Sequence, residues 1–206
     1  MKSLAFFALT GIVSSSFAQS ASLNIVPSEP VVGEFGGSSS FTLSIFASAD
    51  FGTHIAGGQF SLVNGTGGAG VITGMDAAAV DWASIGEHDR GWAGGANYTG
   101  LVFGQIIVNP IIPPNVNSGF AGGEVLVATI QVEFVQPSMF WHPIHFQLGS
   151  GPGPFVLEIY DEADGSFTHL QSSAIEFGGA SVLVVPAPSS MVLLGLSSFI
   201  AVRRNR

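Results

Sequence analysis

The chain has 206 residues, 47% of them hydrophobic and only 9% charged, with no cysteine. That length supports one domain with a real core, and the missing cysteines exclude a disulfide scaffold, so burial and backbone pairing must hold the fold. All 14 acidic residues lie between positions 19 and 185, where Arg90 is the single Lys or Arg; this body therefore carries −13 and excludes nucleic acid and anionic lipid as partners, because nothing in it can neutralise phosphate.

The chain opens on Met1-Lys2, an apolar run over 4–13, and Ser16-Phe17-Ala18 before Gln19. A positive start, a short apolar segment and a small-x-small site make a secretory signal peptide over 1–18, cleaved between Ala18 and Gln19. The body is then 19–184.

Strand patterns follow one another through it. Leu23-Asn24-Ile25-Val26 alternates and ends at Pro27. Phe41, Leu43 and Ile45 share one face of the segment 40–46, with Thr42 and Ser44 on the other. Residues 59–63 alternate and run into Asn64-Gly65, a strong turn dipeptide. Over 75–85, Met75, Ala78, Ala79, Trp82 and Ile85 recur at helical spacing and predict one short helix. Residues 101–108 form a continuous apolar run, the pattern of a strand buried on both faces. In 124–134, Leu126, Ala128, Ile130, Val132 and Phe134 fall on one face. Further strands are predicted over 144–148, 155–160, 167–170 and 174–184. Many short strands with polar turns, and no βαβ rhythm, predict an all-β antiparallel sandwich with one short helix.

Sites of chemistry are few. The five histidines, His54, His88, His142, His145 and His169, show no metal-binding spacing, and no Gly-x-Ser-x-Gly elbow occurs. No catalytic residue is assigned. Asp161, Glu162 and Asp164 place three carboxylates within four residues, which suits weak calcium binding and no other cofactor. The same segment, with Asp164-Gly165 between two strand patterns, also reads as a plain hairpin turn. Trp82, Trp92 and Trp141 are candidate sugar-stacking platforms, or alternatively packing residues.

The C-terminal 22 residues have a different character. Val185-Pro186-Ala187-Pro188 leads into the apolar stretch 191–202, which contains Leu193-Leu194-Gly195-Leu196, and the chain closes on Arg203-Arg204-Asn205-Arg206. Proline fixes φ and lacks a donor, so Pro186 and Pro188 stop the fold from running on into the tail. As a helix the apolar stretch would span roughly 18 Å, against a hydrocarbon core of ~30 Å. That length suits transient insertion, with the arginines left on the cytoplasmic side; a simple membrane anchor is the alternative.

The proline-flanked start, the Leu-Leu-Gly-Leu segment and the arginine-rich end, in that order over 185–206, resemble the PEP-CTERM sorting signal of exported bacterial proteins. The chain departs from it at Ala187, where the family usually has Glu. The resemblance implies a Gram-negative envelope protein handled by an exosortase-type processing enzyme, often in species that make exopolysaccharide. Inside the body, Val31-Val32-Gly33, the strand pattern 40–45, Ile55-Ala56-Gly57-Gly58-Gln59-Phe60-Ser61-Leu62 and Gly122-Gly123-Glu124-Val125-Leu126-Val127-Ala128-Thr129 resemble the strands of cohesin-type domains, which share a jelly-roll sandwich with several carbohydrate-binding modules. A fold resemblance does not fix function.

The reading is therefore an exported, non-catalytic protein of the cell surface or extracellular matrix, touching the membrane only through its tail. The alternatives are a carbohydrate-binding module for exopolysaccharide and, third, a secreted glycan-active enzyme.

Overall fold

The computed structural model describes residues 21–33, 40–49, 53–78, 80, 83–85, 90–105, 124–135, 141–161 and 163–186. Its strands in chain order are β1 (Ala21–Pro27), β2 (Val31–Val32), β3 (Ser40–Ala49), β4 (Thr53–Leu62), β5 (Ile72–Ala78), β6 (Ala83–Ile85), β7 (Gly91–Gly94), β8 (Asn97–Gln105), β9 (Val125–Phe134), β10 (His142–Ser150), β11 (Leu157–Asp161), β12 (Ser166–Leu170), β13 (Ile175–Phe177) and β14 (Gly179–Val184). A 3-10 turn, Ser172–Ala174, precedes β13.

The strands form two sheets packed face to face. The five-stranded sheet runs β13-β1-β3-β9-β5. The nine-stranded sheet runs β12-β11-β4-β10-β14-β2, with β8 on the other edge of β4 and both β6 and β7 paired to β8. Alternation makes the inner faces. β3 buries every second residue, Phe41, Leu43, Ile45, Ala47 and Ala49, and leaves the polar ones half-buried. Phe41 of the first sheet meets Phe146 of the second edge-on, with ring centroids 6.0 Å apart. Phe60 and Phe103 fill the second sheet's share of the core at 6.2 Å.

The all-β sandwich agrees with the strand patterns, with four corrections. No helix forms over 75–85. Met75–Ala78 lie instead in β5, paired to β9, and Ala83–Ile85 in β6, paired to β8, while Ala79 and Trp82 lie outside the described residues. Within β5 Met75 is buried and Ala78 exposed, so their three-residue spacing marks no common face. The ladders are also not all antiparallel, because β1 pairs β13 and β14 pairs β2 in parallel.

On β9 a bulge opposite Ile45/Phe46 leaves Val127 and Ala128 both buried. Beyond it Val125 packs on the core and Leu126 is turned to the other face, opposite Phe46. Lastly, β8 is not buried on both faces. Leu101 and Phe103 point into the core, whereas Val102 and Gly104 face outward and are half-buried. The strand buried at every position is β4, and it shapes the site described next.

Candidate functional site

One edge of β4 pairs along β8. The other edge is shared by two strands: β10 covers Phe60–Leu62, and β11 covers Thr53–Gly58. Both run antiparallel to β4, so β10 and β11 form one interrupted line. The interruption is the excursion 151–155, Gly-Pro-Gly-Pro-Phe, thrown out over the outer face of the sheet. Its prolines cannot donate to a ladder, so the chain leaves the sheet there.

Gln59 holds the excursion down. It is 7% exposed and uses both ends of its amide: Nε2 donates to the Phe155 carbonyl at 2.5 Å, and Oε1 accepts from the Gly153 N–H at 3.0 Å. Its own backbone N–H donates to the Val156 carbonyl at 2.8 Å. A buried amide with donor and acceptor both used is a rigid pin, since losing either bond would strand a buried polar group.

Beside this pin lies a groove of about 420 Å³. Gly57 of β4 and Gly104 of β8 are register partners and form part of its floor. Gly57 is itself buried, and it is at half-buried Gly104, where a Cβ would meet nothing within 4 Å, that the backbone is open to whatever enters. At one end stands Glu158 of β11, paired opposite Gly57. A Cβ on Gly57 would lie 3.9 Å from Glu158 Oε2, so this oxygen hangs beside the floor. The other oxygen, Oε1, is 2.9 Å from His169 Nε2. The His169 ring lies flat on Phe155, with centroids 4.2 Å apart and planes 5° from parallel. Phe155, His169 and Glu158 thus brace one another across the excursion and the β11–β12 hairpin. At the opposite end Arg90 runs past Gly100, where a Cβ would come within 3.6 Å of Arg90 Cγ and 3.2 Å of Pro152 Cγ. The groove therefore offers a carboxylate at one end, a guanidinium at the other, and Val102, Phe155 and the two prolines between.

The residues singled out from sequence fall elsewhere. Trp92 of β7 is 37% exposed, and its Nε1 donates to the Gly95 carbonyl at 2.9 Å. Trp141, just before β10, is 64% exposed. Register separates them. Trp92 lies opposite Tyr98, then Leu62, then Leu148, whereas Trp141 sits at the far end of β10, roughly 23 Å along the strand at ~3.3 Å per residue. They do not form one stacking platform. Trp82 lies outside the described residues, as do Ala18, Gln19, Glu162, Ala187, Pro188, Arg203, Arg204 and Arg206.

The acidic segment is a tight β11–β12 turn. Asp161 Oδ1 accepts from the Ala163 N–H at 2.8 Å, and Asp164 Oδ1 accepts from the Ser166 N–H at 2.9 Å. Gly165 closes the turn with φ at 71° and donates to the Asp161 carbonyl. The Ser166 side-chain and backbone hydrogen bonds hold the Asp164 carboxyl below its usual range. Its contribution to the turn is present above the unfolded titration range and is lost as the pH falls through the lowered folded value. Among the described residues no three His, Asp or Glu come together as a metal cluster.

Asp161 and Asp164 each give one oxygen to a backbone N–H of the turn, so a cation drawing on the same oxygens would compete with it. Millimolar calcium, compared with chelator, is expected to leave the melting temperature within the spread of repeats for wild type and for Asp161→Asn/Asp164→Asn alike. A calcium-dependent rise in wild type that the double substitution removes would show that the loop binds calcium.

Sequence reasoning left out Gln59, Glu158, Phe155, His169, Gly57 and Gly104. Gly57, Glu158 and His169 each lie opposite a partner in the same ladders, so only the register joins them. No protein-family model matches the chain, and no curated protein matches it. Among the described residues no helix is long and apolar enough to cross a membrane.

Proposed function

We propose that this chain is an exported, non-catalytic β-sandwich protein of the cell surface or extracellular matrix of a Gram-negative bacterium, processed at its C-terminal tail by an exosortase-type enzyme. The observation that supports this reading is where the last described strand ends. β14 ends at Val184, and the Val185 N–H makes a last backbone bond to the Val32 carbonyl at 2.9 Å. The proline-flanked label begins at that same residue. A label that starts where the ladder ends can be removed without unpicking a strand. The protein isolated from its host's surface is therefore expected to end between Pro186 and Ser190 by intact-mass measurement. A mature form still ending at Arg206 overturns the processing step and leaves a simple anchor.

A second reading is a binding module for exopolysaccharide, and the groove favours it. A pinned, mixed polar and apolar hollow on an outer sheet face suits a ligand better than it suits packing. Retention of the 19–185 body on host exopolysaccharide is its test.

A further inference from the structure

We propose that the groove over Gly57 and Gly104 is a subsite for an uncharged sugar of one or two rings. This rests on the exopolysaccharide reading and names both the place and the ligand class. Shape comes first. At about 420 Å³ the groove falls in the range of small-ligand pockets, and the paired glycines give it a flat backbone floor on which a ring can lie. A Cβ placed on Gly104 would meet no heavy atom within 4 Å, so the space above that floor is open.

Chemistry comes second. Glu158 accepts hydrogen bonds only, and Arg90 donates only. Set at opposite ends of one groove, they suit a ligand whose groups both donate and accept, which is the property of hydroxyls. Val102, Phe155 and the prolines supply apolar surface for ring C–H groups. The stack of Phe155 on His169, and the His169 bond to Glu158, hold the acceptor in place before anything binds.

Charge comes third. Fourteen acids against one arginine put the body at −13, and Glu158 lines the same groove as that arginine. An acidic sugar or other anion would enter against that field, whereas an uncharged one would not. A peptide fits less well. β4 has both edges already paired, so the floor offers no free ladder edge to an incoming strand.

The test is binding of maltose, cellobiose and lactose to the full chain, with digalacturonate as the charged counterpart and tetraalanine as the peptide probe. At least one neutral disaccharide is expected to bind, with digalacturonate about tenfold weaker or worse. Glu158→Gln keeps an acceptor for His169 but removes the charge, and is expected to weaken the sugar about tenfold. Gly104→Val should abolish binding while leaving the melting temperature unchanged, because a β-branched residue suits a strand and the added atoms enter open space. Trp92→Ala and Trp141→Ala should bind as wild type. Binding that survives Gly104→Val, preference for digalacturonate or tetraalanine, or no binding by any neutral disaccharide overturns the proposal. Exopolysaccharide held by Gly104→Val but lost in Trp92→Ala or Trp141→Ala removes the groove and keeps the binding reading; exopolysaccharide never held removes both.

Discussion

Ile130→Asp is expected to leave the domain unfolded at room temperature. Ile130 is fully buried on β9, the strand between β3 and β5, and lies opposite Leu43, which is also fully buried. The substitution forfeits about 2–3 kcal/mol of apolar burial and places an unpaired carboxylate in the core, which costs several kcal/mol more. Domains of this kind have a margin of ~5–15 kcal/mol. Gln131→Thr, one residue on and exposed, should cost less than about 1 kcal/mol and keep the cooperative melt. Thr is the better control than Asp, because Gln131 faces Asp76 across the β5–β9 ladder and a second acid there would add like-charge repulsion. Equal melting temperatures for the two variants would mean that the inward face of β9 has been misassigned.

Gly67→Ala is the second large effect, expected at about 3 kcal/mol or roughly a 10 °C fall in melting temperature. Two costs combine. Gly67 has φ at 80°, a region that costs an L-residue about 1–2 kcal/mol. A Cβ there would also overlap the carbonyl oxygen of Pro143 on β10. The neighbouring residue explains why the chain comes so near: Thr66 exchanges both backbone hydrogen bonds with His145, at 3.1 and 2.9 Å. Gly65 and Gly68 are equally confined, each with Ala96 within 2.6 Å of where a Cβ would stand. This glycine run is a site of close backbone contact. Gly70→Ala, where φ is 74° but nothing lies within 4 Å, separates the two terms and should cost only the conformational part, about 1–2 kcal/mol. A Gly67→Ala loss no larger than that of Gly70→Ala would sink the packing argument.

Strands with one face in the core were legible, because alternation records burial directly. β3 and most of β9 are examples. What alternation cannot record is where a ladder slips. The bulges at Val127 and between Ile72 and Gly74 each shift the pattern by one residue. One turned Leu126 outward, and the other set the buried Ile72 and Met75 of β5 three residues apart. The parallel pairs escaped notice for a related reason: a strand's own residues do not say which direction its neighbour runs.

The groove was less legible still. Its floor joins Gly57 to Gly104, and its pin joins Gln59 to Gly153. In one dimension these are three ordinary glycines and an ordinary glutamine. The tryptophans stand out as large aromatics, yet the ring braced beside the groove is Phe155, whose partners Glu158 and His169 are set by the β11–β12 register.

The two parallel pairings bear on how the body would carry a load. In one sheet the first strand, β1, lies along β13; in the other, β2 lies along the last strand, β14. Tension applied between the two ends of the body draws β1 and β2 one way and β14 the other, along the strand axes. The bonds from Leu183 N–H to the Pro30 carbonyl at 3.0 Å, and from Val185 N–H to the Val32 carbonyl at 2.9 Å, then lie across the direction of pull. They must yield together and not one by one. On the C-terminal side, a pull on β14 meets this shear clasp with β2.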